Sequence, residues 1–431
     1  MHQSHFFKLR LRAFSSFLFG VLLIFLLASS VSAFQADSLA IDTTLTGVQL
    51  GATAWGDYDN DGDLDVVITG TTNGGSSGAV AEIWDNDGSG NFTKNTSVSS
   101  SLTGAYRSGA AFGDYDNDGF LDLVIIGYNT SGTPTTTLYN NDEDGTFSTV
   151  SGTGFTDGSW ASASWGDANN DGYLDLYLGG LPSSGTRFNT IYLNDKDGTF
   201  TDATAGILGS AGGDFVHADY DNDGDLDVAI AGYTNSGYAQ SKFFRNDNGT
   251  YNEVSAISSL LLANDNATME WGDFDNDGDL DLFNSGGGSA KILINDGSGG
   301  LSNSGLSFSG VWDGYADWSD YDLDGDVDLL YIGNNSGSKS FLYDNDGDGT
   351  FTLNTDFSLT IAEQGTVDWV DVDNDGDADL FITGYLSTGS RTASLYKNNE
   401  VTTNTAPSTP VLNNITFNGS ETILSWNPSN D

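Results

Sequence analysis

The sequence predicts an all-β fold: a seven-bladed β-propeller of four-stranded antiparallel blades, closed by an N-terminal strand that completes blade seven. Three observations predict it. A motif Asp-x-Asp-x-Asp-Gly-x-x-Asp, with Asn at the third position of one copy, occurs seven times, beginning at Asp57, Asp114, Asp167, Asp219, Asp273, Asp320 and Asp371. The starts are 57, 53, 52, 54, 47 and 51 residues apart, a period near 50 that belongs to propellers and solenoids. Each copy is followed at once by an apolar, β-branched run, and the two ends of the array complement each other.

Within a unit the elements follow in order. Upstream of the loop lie short segments such as Ala54-Trp55-Gly56, Ala111-Phe112-Gly113, Ser164-Trp165-Gly166, Glu270-Trp271-Gly272 and Asp368-Trp369-Val370. Downstream come runs such as Leu64 to Gly70 and Leu121 to Gly127. Bounded by Gly and rich in β-branched and aromatic residues, both read as buried strands. A third run ends in a turn, as in Thr137 to Asn140 before Asp144-Gly145 and Ile191 to Asn194 before Asp197-Gly198. A fourth begins at Phe147, Phe200, Tyr251 or Phe351. Each unit is thus a meander with the acidic loop between its first two strands.

The ends predict closure. The seventh unit has its third strand at Ser394 to Lys397, but no Asp-Gly-Thr-Phe turn or fourth strand follows. Residues from Phe34 to about Thr44 precede Gly51 to Trp55 as each fourth strand precedes the next unit. That segment is expected to complete blade seven and lock the ring.

The loops carry the chemistry. In the first copy Asp57, Asp59, Asp61 and Asp65 offer carboxylates, and Gly62 permits the turn that aims the Asp63 carbonyl inward. Like charges about 5 Å apart repel by roughly 3 kcal/mol per pair at an effective dielectric of 20, so the loop needs a hard cation. Oxygen-only donors favour Ca²⁺ or Mg²⁺, and flexible carboxylates plus a carbonyl suit the larger Ca²⁺ shell. The expected ligands in the other copies are Asp114, Asp116, Asp118, Phe120 and Asp122; Asp167, Asn169, Asp171, Tyr173 and Asp175; and Asp219, Asp221, Asp223, Asp225 and Asp227. Then follow Asp273, Asp275, Asp277, Asp279 and Asp281; Asp320, Asp322, Asp324, Asp326 and Asp328; and Asp371, Asp373, Asp375, Asp377 and Asp379. The seventh position of each loop serves through its carbonyl, and about seven Ca²⁺ are expected. An isolated Asp-Gly is usually a solvated turn, but seven copies in register favour a metal. An EF-hand is excluded, because its loop ends in a bidentate Glu and enters a helix, whereas the twelfth positions are Ile68, Ile125, Leu178, Ile230, Asn284, Tyr331 and Ile382.

Phe112-Gly113-Asp114-Tyr115-Asp116-Asn117-Asp118-Gly119 followed by Leu121-Asp122-Leu123 resembles the FG-GAP and VCBS repeats of integrin-α-like propellers. The resemblance runs from about residue 34 to 400. It implies Ca²⁺ in the acidic loops and ligand binding, often in adhesion, on the opposite face. The departures are Asn169 for Asp, His217 where most repeats have Trp or Phe, and Gly286-Gly287-Gly288 in place of a longer loop in repeat five.

Residues 1–33 read as a signal peptide: Lys8, Arg10 and Arg12, an apolar stretch from Phe17 to Ala28, then Val31-Ser32-Ala33, with cleavage after Ala33. That run is shorter than the roughly 20 residues of a spanning helix, so a secreted or cell-surface protein without membrane insertion is expected. Cysteine is absent, leaving metal to take the constraining role that disulfides have in extracellular domains. Net charge is −48, and −51 without the three basic leader residues. Nucleic acid and anionic lipid are poor partners for such a field. Residues 401–410 read as a linker, and residues 411–431, containing Ile423-Leu424-Ser425-Trp426, resemble the first strands of a truncated fibronectin type III domain, which needs about 100 residues.

The propeller is not expected to be an enzyme. Beyond the leader it contains one histidine, His217, read as a packing substitute for Trp, and no cysteine, which removes most triads and zinc sites. The carboxylates recur alike in every repeat, whereas an active site needs contrasting environments. Function is expected on the face away from the loops, where Tyr106, Arg107, Trp160, Arg187, Tyr233, Trp312, Tyr315, Tyr385 and Arg391 are aromatic and cationic exceptions; each ring could equally wedge between blades. The sequence therefore predicts a binding or adhesion module for an extracellular glycan or protein. The alternatives are a non-catalytic or substrate-holding part of an extracellular polysaccharide-degrading enzyme, and a structural spacer.

Overall fold

A computed structural model describes residues 45–203, 206–264, 266–355 and 359–398, together with the strands Leu412–Phe417 and Thr422–Trp426. Each acidic loop joins two antiparallel strands, as expected. In the first repeat these are Thr53–Gly56 and Asp65–Thr71, followed by Ala79–Asn86 and Phe92–Lys94. The second strand is buried along its whole length, because both its faces are covered. Its alternation sends Val66 and Ile68 into a cluster with Val370, Val372 and Phe381 of the last repeat, and Val67 into one with Leu123 and Ile125 of the second. Fully burying such side chains stabilises by about 1.5–3 kcal/mol each.

Every neighbouring pair of repeats encloses a cluster of this kind, and the last packs on the first, so the repeats form a closed ring. The aromatic two residues before each loop wedges between repeats: Trp55 meets Phe92 and Phe381 edge-on at 5.9 and 5.3 Å. His217 takes this place in repeat four, 4.3 Å from the Tyr177 ring. Burial pushes its imidazole down to about 4, so it packs there as a neutral ring.

The expectation of seven separate blades is not met. Five separate sheets of four or five strands run from Ser162 to Tyr396, while the first eight strands, from Thr53 to Thr149, form one continuous sheet. The reason is local: the strand Ala105–Gly113 starts early enough to pair at Ala105 with Val80, on the third strand of the preceding meander. Two one-turn helices, Thr96–Ser99 and Ser255–Ser258, carry the chain from a fourth strand towards the next repeat. The sequence reading did not foresee them. Repeat five is short as expected, turning at Gly287 and Gly288 with φ of 61° and 83°, a conformation that glycine adopts without steric cost.

At the closure, Val48 bridges Thr392, on the third strand of the seventh repeat, and Gln49 bridges Thr71. The expected closing strand, Phe34 to Thr44, and the leader lie outside the described residues. So do the linker and most of the tail, whose described part is one antiparallel hairpin; a fibronectin type III domain is not shown.

Acidic loops and central pocket

The loops are preformed by their own hydrogen bonds. Asp57 accepts the Asp61 and Gly62 amides at 2.9 and 3.0 Å, and Asp61 accepts the Asp63 amide at 3.1 Å. The first contact pair recurs in repeats two to five and in repeat seven. Repeat six keeps only the Gly325 amide on Asp320. The ninth-position Asp is fully buried, and its Oδ1 accepts the backbone amide of the Asn that ends the third strand at 2.7–2.9 Å in all seven repeats.

The sequence reading gives this Asn no role beyond Asn194 closing a third strand, and the structure adds a second contact. Its side-chain amide donates to a backbone carbonyl in the loop of the preceding repeat: Asn141 to Tyr58, Asn194 to Tyr115, Asn246 to Ala168, Asn295 to Tyr220, Asn345 to Phe274 and Asn398 to Tyr321. Asn86 of the first repeat donates to Val372 of the last at 2.8 Å. A second, exposed ladder links neighbouring loops through the fourth-position Asn: Asn60 to Gly119, Asn117 to Gly172, Asn170 to Gly224, Asn222 to Asp279, Asn276 to Gly325, and Asn374 back to Asp63. Repeat six has Leu323 at this position, held at φ 58°.

Three-carboxylate groups with ligand atoms mutually within 4.8 Å form at Asp57, Asp59 and Asp61; Asp114, Asp116 and Asp122; Asp219, Asp221 and Asp227; Asp273, Asp275 and Asp281; and Asp320, Asp322 and Asp328. The donor sets fit a hard cation. Buried oxygens Oδ2 of Asp65 and Asp328, and Oδ1 of Asp221, Asp320 and Asp373, have no hydrogen-bond partner among the described residues, a costly state for an acceptor unless something positive meets it. Burial also pushes the ninth-position carboxyls up, Asp122 to about 7 and Asp65 to about 8, and a cation would reverse that shift. Where Asn170, Asn222, Asn276 and Asn374 reach the seventh-position side chain of the next loop, they bind Asp225, Asp279, Asp326 and Asp63. That leaves the backbone carbonyl of these residues for any inward role.

At the opposite end of the ring one residue per repeat, just before the inner strand or, for Arg107 and Asp313, near its start, lies in the left-handed region: Leu50, Arg107, Trp160, Gly212, Asn266, Asp313 and Gln364, with φ between 49° and 73°. Neighbours among them are linked through the backbone, Arg107 to Leu50, Leu50 to Gln364, Gln364 to Asp313 and Gly212 to Trp160. Sequence singles out Arg107 and Trp160 among these positions but not the set, which shares a backbone state and no side-chain type. All seven line a central pocket of about 100 Å³, together with Ser108, Asp214 and Tyr315.

Of the residues singled out from sequence, the pocket gathers Arg107, Trp160 and Tyr315, with the Arg107 guanidinium 3.7 Å over the Trp160 ring. The others lie elsewhere. Arg187 stacks on Tyr233 at 4.7 Å, Arg391 on Tyr385 at 5.3 Å, and Tyr106 packs against Tyr128. Trp312 stands beside Asp313 but outside the lining. Carboxylates on or beside the inner strands stitch repeats together: Asp214 of the pocket lining accepts the Met269 amide at 2.8 Å, Asp317 the Trp369 amide at 2.7 Å, and Asp368 the Thr53 hydroxyl at 2.7 Å. These groups touch solvent in the channel, yet protein surrounds them, so desolvation pushes Asp214 and Asp317 up to about 7 and Asp368 up to about 6. Burial and the neighbouring carboxylates raise Glu270 further.

A ring of repeats stitched at its acidic loops defines a repeat propeller. The FG-GAP-like repeat family matches residues 57–125, 117–178, 180–230, 219–284, 273–331 and 320–382, and the chain belongs to that family. Among curated protein sequences none matches it. Among solved structures it is similar to an Agrocybe aegerita lectin that recognises non-reducing terminal N-acetylglucosamine (15% identity, 83% of this chain and 82% of that one, TM-score 0.37). It is also similar to the Aleuria aurantia lectin (12%, 81% and 93%, 0.41) and to an α-L-arabinanase of Penicillium chrysogenum (13%, 68% and 93%, 0.37). No helix among the described residues is long and apolar enough to cross a membrane.

Proposed function

We propose that this chain is a secreted or cell-surface calcium-binding propeller that holds an extracellular glycan or protein ligand in its central pocket, without catalysis of its own. The observation that carries the reading is the Arg107–Trp160 stack at the pocket wall, with Tyr315, Asn266 and Gln364 on the remaining sides. An aromatic wall with a few converging polar groups is the usual make-up of a small-ligand site. Ca²⁺ in the loops acts at the other end of the ring, neutralising carboxylates that otherwise repel and fixing the seams between repeats. About seven ions are proposed, held by the first, third, fifth and ninth positions and by the seventh carbonyl.

A glycan array probed with the leaderless chain in calcium tests the ligand half. Binding that Trp160→Ala abolishes supports the reading; no binding to any glycan or protein probe leaves a structural spacer. A second reading makes the ring the substrate-holding part of an extracellular polysaccharide-degrading enzyme. The same pocket supports it, with Asp214 on its wall held near neutrality, and release of reducing ends from a bound polysaccharide would establish it.

A further inference from the structure

Arg107, Arg187 and Arg391 each stack on an aromatic ring with a buried, unpartnered Nε among the described residues, and of the three Arg107 lines the central pocket. With 61 acidic residues against 13 basic ones, cations find carboxylates easily: Lys94, Lys196, Lys242, Arg245 and Lys397 each lie 2.6–3.3 Å from one. The Arg107 side chain makes no hydrogen bond or ion pair among the described residues, and its Nε is buried without a partner. Stacking on Trp160 uses only the face of the guanidinium, whereas its N–H donors lie in the plane, in a fork that matches a carboxylate two bonds at a time. The backbone points the same way. At φ 50° a non-glycine residue is strained, and Gly212 and Asn266 fill the equivalent positions with types that tolerate this region better. All seven equivalent positions share this conformation, which neighbouring repeats impose, and it sets Arg107 on the pocket wall.

We propose that the central pocket takes a uronate residue of an acidic polysaccharide, with its carboxylate on Arg107 and its hydroxyls towards Asp313, Asp214 and Gln364. The proposal rests on the reading of this pocket as the ligand site. A carboxylate completes the guanidinium, and the partly desolvated wall strengthens that pair relative to one in bulk water. Sugar hydroxyls then supply the donors that Asp313 and Asp214 can accept. An acidic peptide side chain would bring the charge without hydroxyls to donate to Asp214 and Asp313, which already accept from the Met269 amide and from Asn266.

The test is calorimetric titration, in calcium, of the leaderless chain with short oligosaccharides bearing one glucuronate or one galacturonate, their methyl esters, and an acidic peptide. We expect one uronate to bind roughly tenfold or more tighter than its ester. Arg107→Gln should erase that preference with its melting curve unchanged, and Arg107→Lys should restore only part of it. Equal binding of acid and ester, or a preference that survives Arg107→Gln, overturns the uronate while leaving a pocket whose binding Trp160→Ala abolishes. Tighter binding of the peptide overturns the sugar in favour of a protein partner. No binding by any probe, or binding that survives Trp160→Ala, overturns both the uronate and the pocket reading.

Discussion

The side-chain amide of Asn86 lies 2.8 Å from the main-chain carbonyl of Val372, joining residues 286 positions apart and sealing the first repeat to the last. It is one rung of a ladder in which each buried Asn also donates to its own loop, at Leu64 for Asn86, and has its backbone amide on the ninth-position Asp. Removing its side chain leaves the Val372 and Leu64 carbonyls without their donor and the Gly90 amide without its acceptor, while the backbone amide stays on Asp65. Asn86→Ala should cost about 2–4 kcal/mol, read as a lower denaturant midpoint, and the protein should unfold from this seam first. Hydrogen exchange that opens no sooner at the first and last repeats would contradict this.

Leu323 marks the gap in the outer ladder. Six repeats place Asn there, a residue that tolerates the left-handed region and reaches the next loop, whereas Leu323 holds φ 58° without an amide to donate. Leu323→Asn should therefore stabilise the chain by about 1 kcal/mol, part from relieved strain and part from a new bond to the seventh loop. Thermal melts in calcium check it. A variant no more stable than the parent would show that the sixth seam is closed by packing alone.

Chelation should lower the melting temperature sharply, because emptied loops leave clustered carboxylates facing each other and bound ligand stabilises by mass action. Asp277→Ala should weaken repeat five most, since its short Gly287-Gly288 turn offers little other support. An unchanged melting curve in excess chelator at neutral pH would count against structural calcium.

Asp317 provides a pH signature separate from the loops. Burial holds its carboxyl at about 7, against about 4 in the unfolded chain, so between these values the folded state binds more protons. Its contribution is therefore most favourable at low pH and is lost as pH rises through about 7. Asp317→Asn removes this dependence, and an amide oxygen can still accept from Trp369. Measured at saturating calcium, the stability of the variant relative to the parent should grow from pH about 5 to pH about 8. Parallel curves would contradict the assignment.

Much of this architecture is legible in sequence because it repeats. Period, loop and strand order follow from seven acidic motifs, whereas the Asn rungs at 86, 141, 194, 246, 295, 345 and 398 lie 22 to 29 residues after the motif starts and are aligned only by the sheet pairing. The pocket ring was not legible. Leu50, Arg107, Trp160, Gly212, Asn266, Asp313 and Gln364 share a backbone conformation imposed by neighbouring repeats, and no side-chain rule detects that. The merging of the first eight strands was equally hidden, since it turns on one residue pair, Val80 and Ala105. Arg107 and Trp160 were visible as exceptions in an acidic, polar chain, but only the ring brings them face to face.

We propose that each acidic loop holds a cation and that these ions brace the ring. Calorimetric titration of the chelated, leaderless chain with Ca²⁺, followed by native mass spectrometry of the saturated protein, tests it most directly. The account predicts close to seven Ca²⁺ per chain, with Mg²⁺ a poor substitute and the Asn169 site among the weaker ones. Two or fewer bound ions at saturation would contradict it.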